Sequence, residues 1–220
     1  MRWTHEEDFD ALINAAADRH GVPAALVRAI IGNESQFNPS AWRPEPAIGD
    51  GSAGLMQILL GTAKGVGYGG PLGDRLQLTG LFDPATNIEY GTAYLAQQYD
   101  MANSDIRGAA SAYNGGWRPS IGFGAPADHA MTITLARDPV TGNPIRTRQV
   151  KPGEFSNQPY VDAVLSNYAY FTNKEAASTG VTQFVRPLTP TGTFNPKLVG
   201  LLVGLLIALF GLRSRQRRQS

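Results

Sequence analysis

The 220-residue sequence contains no cysteine. That excludes a disulfide framework, a thiolate metal site and a cysteine nucleophile. Histidine is scarce: His5, His20 and His129 stand far apart, with no i, i+4 pair and no partner carboxylate at ligand spacing, so no metal site is expected. There is no Gly-x-Ser-x-Gly elbow. The glycine-rich stretch Gly65 to Gly70 lacks a following Lys-Ser/Thr and does not join a strand to a helix, so it reads as a loop rather than a phosphate cradle. Neither a metal nor a nucleotide cofactor is expected. The start, Met1 to Asp8, is acidic and has no apolar core of a cleavable signal peptide.

Acidic residues are missing from one end. None follows Glu175, and Lys197, Arg213, Arg215, Arg217 and Arg218 leave the last 24 residues at net +5, against net −4 for residues 1–196. The formal charge of +1 therefore averages two regions of opposite sign. Leu198 to Leu212 is uninterruptedly apolar. As a helix it covers about 22 Å, and adding 194–197 with a snorkelling lysine brings it close to the ~30 Å of a bilayer core. A transmembrane helix at 197–213 with a cytoplasmic basic tail at 214–220 is the expectation, a buried core helix the alternative. Gly200 and Gly204 form a G-x-x-x-G pair through which such a helix could oligomerise. The arginines after it read as a topology signal, and no nucleic-acid contact is expected. Residues 173–196, with Pro187, Pro190 and Pro196, read as a Thr/Pro-rich linker.

Residues 1–172 read as helices joined by Gly- and Pro-rich turns. Helices are predicted from a Thr4–Glu7 capping box to about His20, from Pro23 to Glu34, from Ser52 to Lys64, from Asp83 to about Tyr99, from Asp105 to Asn114, and from Pro159 to about Phe171. The alternation in MTITLARDPVTGNPIRTRQV predicts a β-hairpin within an insertion spanning 117–158. The class is mainly α with a small β element.

Glu34 is the residue with chemical promise. Leu26, Ile30 and Glu34 share one face of the predicted helix, which sets a carboxyl group at the edge of an apolar stripe, in the last turn. Desolvation and the negative helix end both raise the pKa of such a group, as a general acid requires. Taken alone, an ordinary exposed or capping Glu is the more frequent outcome.

Around it the motifs Glu34-Ser35-Gln36-Phe37-Asn38-Pro39, Gly54-Leu55-Met56-Gln57-Ile58, Leu81-Phe82-Asp83-Pro84 with Asn87-Ile88 and Gly91-x-x-Tyr94-Leu95, Ala112-Tyr113-Asn114-Gly115-Gly116 and Tyr160-Val161-x-x-Val164 occur in order. This set, running from about Val22 to Tyr170, resembles the SLT-type lytic transglycosylase domain of the lysozyme-like superfamily. The resemblance implies an α+β lysozyme-like fold acting on the glycan strands of peptidoglycan, with Glu34 as the single catalytic acid/base. It implies that Ser35, Met56, Gln57, Tyr113 and Asn114 meet substrate, and that Tyr160 hydrogen-bonds the catalytic carboxyl. The expected product is a 1,6-anhydro-muramyl end formed without water.

Two departures bear on this. The stretch from Glu34 to Gln57 is longer than usual in the family, and its Asp50 is a candidate base for water, as in goose-type lysozymes, which hydrolyse. The 117–158 insertion is expected to cover one end of the groove. A glycan-binding structural protein without activity is a further alternative. Two settings fit an anchored wall-cleaving enzyme: a virion's internal membrane, with contacts to virion proteins and wall opening during phage entry, or a bacterial inner membrane with the catalytic domain in the periplasm.

Overall fold

The computed structural model describes residues 2–178, apart from Pro71 and Pro139. They fall in the compact unit Met1–Pro187, and the second unit, Leu188–Ser220, lies outside the described residues. The fold is built around α2 (Ala24–Glu34), a helix whose residues Ala25 to Gly32 are all buried. A helix apolar on every side needs cover on every side. Here α1 (Asp10–His20) and α6 (Gln158–Ser178) supply it, with α4 (Pro84–Met101) against α1 and α5 (Ile106–Gly115) against α4 and α6. A charge on α2 itself enters this core. Arg28, 7% exposed, is satisfied by Asp10 and Asn14 of α1 and by Glu175 of α6, so a buried guanidinium ties three helices together.

Local chemistry sets the helix ends. Asp83 caps α4 by accepting from Thr86 N at 2.8 Å, with Pro84 in the first turn, and Asp105 caps α5 through Arg107 N and Gly108 N. The Thr4–Glu7 capping box does not form. Instead Glu6 turns inward, and its Oε2 accepts from Arg2 N at 2.9 Å and Trp3 N at 3.2 Å. Its Oε1 receives the Tyr170 hydroxyl and Lys174 Nζ, both at 2.8 Å. The N-terminal segment is thereby fastened to α6, with the Trp3 ring stacked on Phe171 and tilted against Phe37. α6 runs to Ser178, so the first six residues of the expected linker are its last turns, and they carry the Lys174 and Glu175 contacts.

The Ser52–Lys64 helix is corrected. The chain there forms β2 (Asp50–Ala53), a tight turn, β3 (Ile58–Leu59) and only then the short α3 (Leu60–Gly65). β1 (Trp42–Glu45) pairs antiparallel with β2, and β2 with β3. Gly54 at φ 71° and Gln57 at φ 47° rule out a continuous right-handed helix. The predicted hairpin is present as β4 (Met131–Arg137) and β5 (Pro144–Val150), with Met131 opposite Val150. Asp138 organises its connection by accepting from Val140 N and Thr141 N.

The fold class expected above ended in a transmembrane helix, and that too is corrected. Among the described residues no helix is long and apolar enough to cross a membrane, and the fold is mainly helical with two small antiparallel sheets. The segments expected at 179–196, 197–213 and 214–220, including Gly200 and Gly204, lie outside the described residues.

Burial alone works to raise the Glu6 pKa, but the hydrogen bonds from Lys174, Tyr170, Arg2 and Trp3 outweigh it and bring the carboxyl down to about 2 from 4.5. A lowered folded pKa stabilises above the unfolded value, and that stability is lost as pH falls from 4.5 towards 2. Glu6→Gln is therefore expected to be less stable than wild type at neutral pH, with the gap closing as the pH is lowered across that window. Urea midpoints measured against pH check this, and a gap independent of pH would contradict it.

Candidate active site

Glu34 is the last residue of α2 and reaches into a cleft of about 370 Å³. One wall is the three-stranded sheet, with Arg43, Glu45 and Ser52; the other is the end of α5, with Tyr113, Asn114 and Gly116. The Tyr160 hydroxyl, from the first turn of α6, donates to Glu34 Oε1 at 2.6 Å. Desolvation is the dominant influence on Glu34 and raises its pKa, although the Tyr160 hydrogen bond and the positive charge of Arg43 pull the other way. Burial, the Glu34 charge and the hydrogen bond to Glu34 hold the Tyr160 phenol well above its ordinary value, so Tyr160 stays the donor in this pair. The Asn33 side chain works in the opposite direction, lowering the Tyr160 pKa.

Gln57 lines the cleft beside Glu34. Its strained φ is held because Nε2 donates to Ala41 O and Gly54 O, both at 3.0 Å, which leaves the amide oxygen for a ligand. Met56 stands apart from this expectation. It is fully buried and packs in the core, where Asn87 Oδ1 accepts from its N–H at 2.7 Å and the Tyr113 hydroxyl donates to its carbonyl at 2.8 Å. Tyr113 thus lines the cleft while its hydroxyl fixes the turn that carries Gln57. Ser35 is buried as well, its hydroxyl donating to Ile31 O at 3.2 Å to close the end of α2, and it does not line the cleft.

Asn114 is exposed at the rim, and its Oδ1 accepts from Asn157 Nδ2 at 3.0 Å. Asn157 also pairs with Ser111 through both ends of its amide, so it locks the end of α5 to the start of α6. Sequence reasoning missed Asn157 and Arg43. The signal for Asn157 was its place three residues before Tyr160, immediately ahead of α6. Arg43 sits in the long Glu34–Gln57 stretch, where only strand pairing could show which side chains face the acid.

Asp50 does not line the cleft. Its Oδ1 accepts from Gly51 N at 2.7 Å and its Oδ2 from Gly61 N at 2.9 Å, which ties β2 to the start of α3. Partial desolvation raises its pKa, but backbone N–H groups of Gly61, Gly51 and Leu60 more than offset this and the net shift is downward. Among the described residues of 117–158, the insertion expected to cover one end of the groove, none lines this cleft; Asn157 bonds Asn114 at its rim.

The sequence of residues 11–121 matches the family model described as Transglycosylase SLT domain. Among curated proteins the chain is similar to membrane-bound lytic murein transglycosylase C of Yersinia enterocolitica, 36% identical over 117 residues, which is 48% of this chain and 30% of that protein. The chain thus spans about 30% of the length of the curated relatives it matches. Among solved structures it resembles lytic transglycosylase Slt from Pseudomonas aeruginosa (TM-score 0.55, 24% identity, 83% of this chain and 26% of that one). It also resembles the 70 kDa soluble lytic transglycosylase of Escherichia coli (TM-score 0.55, 23% identity, 85% of this chain and 27% of that one), and these two likenesses speak to the fold. With half of its length matched by that model, the chain belongs to the Transglycosylase SLT domain family.

Proposed function

We propose that this protein is a peptidoglycan lytic transglycosylase that cleaves the β-1,4 bond between N-acetylmuramic acid and N-acetylglucosamine. The observation that carries the reading is the desolvated acid Glu34, held by Tyr160 in a cleft with Gln57, Tyr113 and Asn114. A carboxyl whose pKa is raised by desolvation gives up its proton less readily to water, which suits it to act as a general acid. In the proposed reaction Glu34 gives that proton to the glycosidic oxygen as the bond to the muramyl C1 breaks. The carboxylate then accepts the proton of the muramyl C6 hydroxyl while its oxygen bonds C1, closing the 1,6-anhydro ring. No water is consumed and Glu34 ends protonated, ready for another turn. Gln57 lines the cleft with its NH₂ group engaged, so its amide oxygen is the end left to meet positive charge developing on the sugar, and Asn114 keeps its NH₂ group for the substrate.

The placement of Asp50 weighs against hydrolysis. Both of its oxygens are engaged by backbone N–H groups outside the cleft, so it is poorly set to activate a water molecule at the sugar. The intact Glu34–Tyr160 pair weighs against a purely structural glycan binder. The substrate lies outside a bacterial inner membrane, so the enzyme would act there; local opening of the wall, as at phage entry, is a use the reaction suits. Mass spectrometry of the muropeptides released from purified sacculi tests the chemistry. Products one water lighter than those of a lysozyme are expected, and full-mass reducing ends would instead support a hydrolase.

A further inference from the structure

The cleft holds three charged side chains, Glu34, Arg43 and Glu45, so Arg43 is the one cation lining it among the described residues. Arg43 lies on β1 directly opposite Ser52 of β2, and its side chain is 64% exposed. It is nevertheless oriented. Nε lies 2.9 Å from Glu45 Oε1 in an ion pair, and Nη2 approaches Ser52 Oγ at 3.5 Å, the limit of hydrogen bonding. Nη1 has no hydrogen bond among the described residues. A guanidinium is a rigid planar fork, so fixing its Nε edge also fixes the direction of its Nη end. That leaves the Nη end for a ligand in the cleft that Arg43 shares with Glu34, whose pKa its charge lowers.

The proposed substrate offers a match. N-acetylmuramic acid differs from N-acetylglucosamine by a lactyl ether, which ends in a carboxylate or continues as a peptide that carries carboxylates of its own. N-acetylglucosamine has no such group. We infer that Arg43 is a specificity-determining residue that pairs, through its Nη end, with a carboxylate borne by the muramyl unit. The inference rests on the peptidoglycan reading above. Glu45 acts as a positioning residue: it holds the Nε edge and neutralises the pair when the cleft is empty. An Arg–carboxylate pair is strong where it is oriented and partly desolvated, whereas a plain surface ion pair is worth little, so the two roles separate by measurement.

The test measures binding to the inactive Glu34→Gln protein, with and without Arg43→Ala or Arg43→Lys. The three ligands are peptide-free strands of alternating N-acetylmuramic acid and N-acetylglucosamine, peptide-bearing strands, and chitohexaose, which has no carboxylate. Arg43→Ala is expected to weaken the carboxylate-bearing strands about tenfold, the size of one charge-assisted hydrogen bond, and to leave chitohexaose unchanged. Arg43→Lys is expected to fall between. Loss on peptide-free strands assigns the lactyl carboxylate, and loss on peptide-bearing strands alone assigns the stem. Equal weakening of all three ligands, or of none, would overturn the inference. Chitohexaose binding shows that the variant is folded. If Glu34→Gln with Arg43 intact binds none of the three, the glycan reading itself fails and takes this inference with it.

Discussion

Glu34→Gln is expected to lower turnover of purified peptidoglycan by about 10³-fold or more, because one group serves both proton transfers and general acid–base catalysis is commonly worth 10²–10⁴ for each. The amide is isosteric and can still accept the Tyr160 hydrogen bond at the Glu34 Oε1 position, so the cleft should keep its shape. Stability should move the other way. The folded pKa of Glu34 is raised, so its contribution is fully present below the unfolded value and is lost as pH rises through the folded one. At neutral pH wild type carries the cost of a desolvated charge that Gln lacks. The variant should therefore melt higher than wild type at neutral pH, with the difference vanishing in acid. Assay of sacculus turbidity together with thermal melts at two pH values checks both halves. Equal activity of the variant would end the proposed mechanism.

Asn87→Leu is expected to be the most damaging single change away from the acid. Asn87 is fully buried on α4, accepts from Met56 N at 2.7 Å, and donates to Ala53 O at 2.8 Å and Leu81 O at 2.7 Å. One side chain thus satisfies three buried backbone groups from β2, the turn after it and the 3₁₀ segment Leu78–Phe82. The fit is close: a Cβ built on Gly54, whose φ is 71°, would lie 2.3 Å from Asn87 Nδ2, so only glycine serves there. Leucine has nearly the same shape but pairs with none of the three groups. Each unsatisfied group costs ~1–3 kcal/mol, and a total of about 3–5 kcal/mol is expected, visible as a lowered urea midpoint. Because the released turn carries Gln57, and Met56 O anchors Tyr113, activity at temperatures where the variant remains folded should fall too. A variant of wild-type stability would show that the turn is held elsewhere.

The two residues differ in how visible they were. Glu34 stands out in the sequence, since an acid at i+8 from Leu26 on an apolar stripe carries its environment with it. The Tyr113–Asn114 and Tyr160 motifs were legible through their order along the chain. Met56 and Ser35 were legible as motif members but not as buried residues. Periodicity cannot tell a cleft-lining side chain from one turned under the turn that presents its neighbour. The Ser52–Lys64 helix failed for a related reason. Its composition suits a helix, but Gln57 takes a left-handed φ that only its bonds to Ala41 O and Gly54 O and the Asn87 clamp sustain.

The absence of cysteine and the scarcity of histidine narrowed the chemistry to carboxylates before any fold was considered, and helix caps such as Asp83 and Asp105 determined where helices begin, because both depend on residue type and near neighbours alone. The pairing of Glu34 with Tyr160, 126 residues apart, was decided only when α2 and α6 packed together. So was the retirement of Asp50 to a backbone role and the arrival of Arg43 beside the acid. These outcomes depend on strand register and helix packing, which join distant parts of the chain, and a pattern read along the sequence carries no measure of distance across the fold.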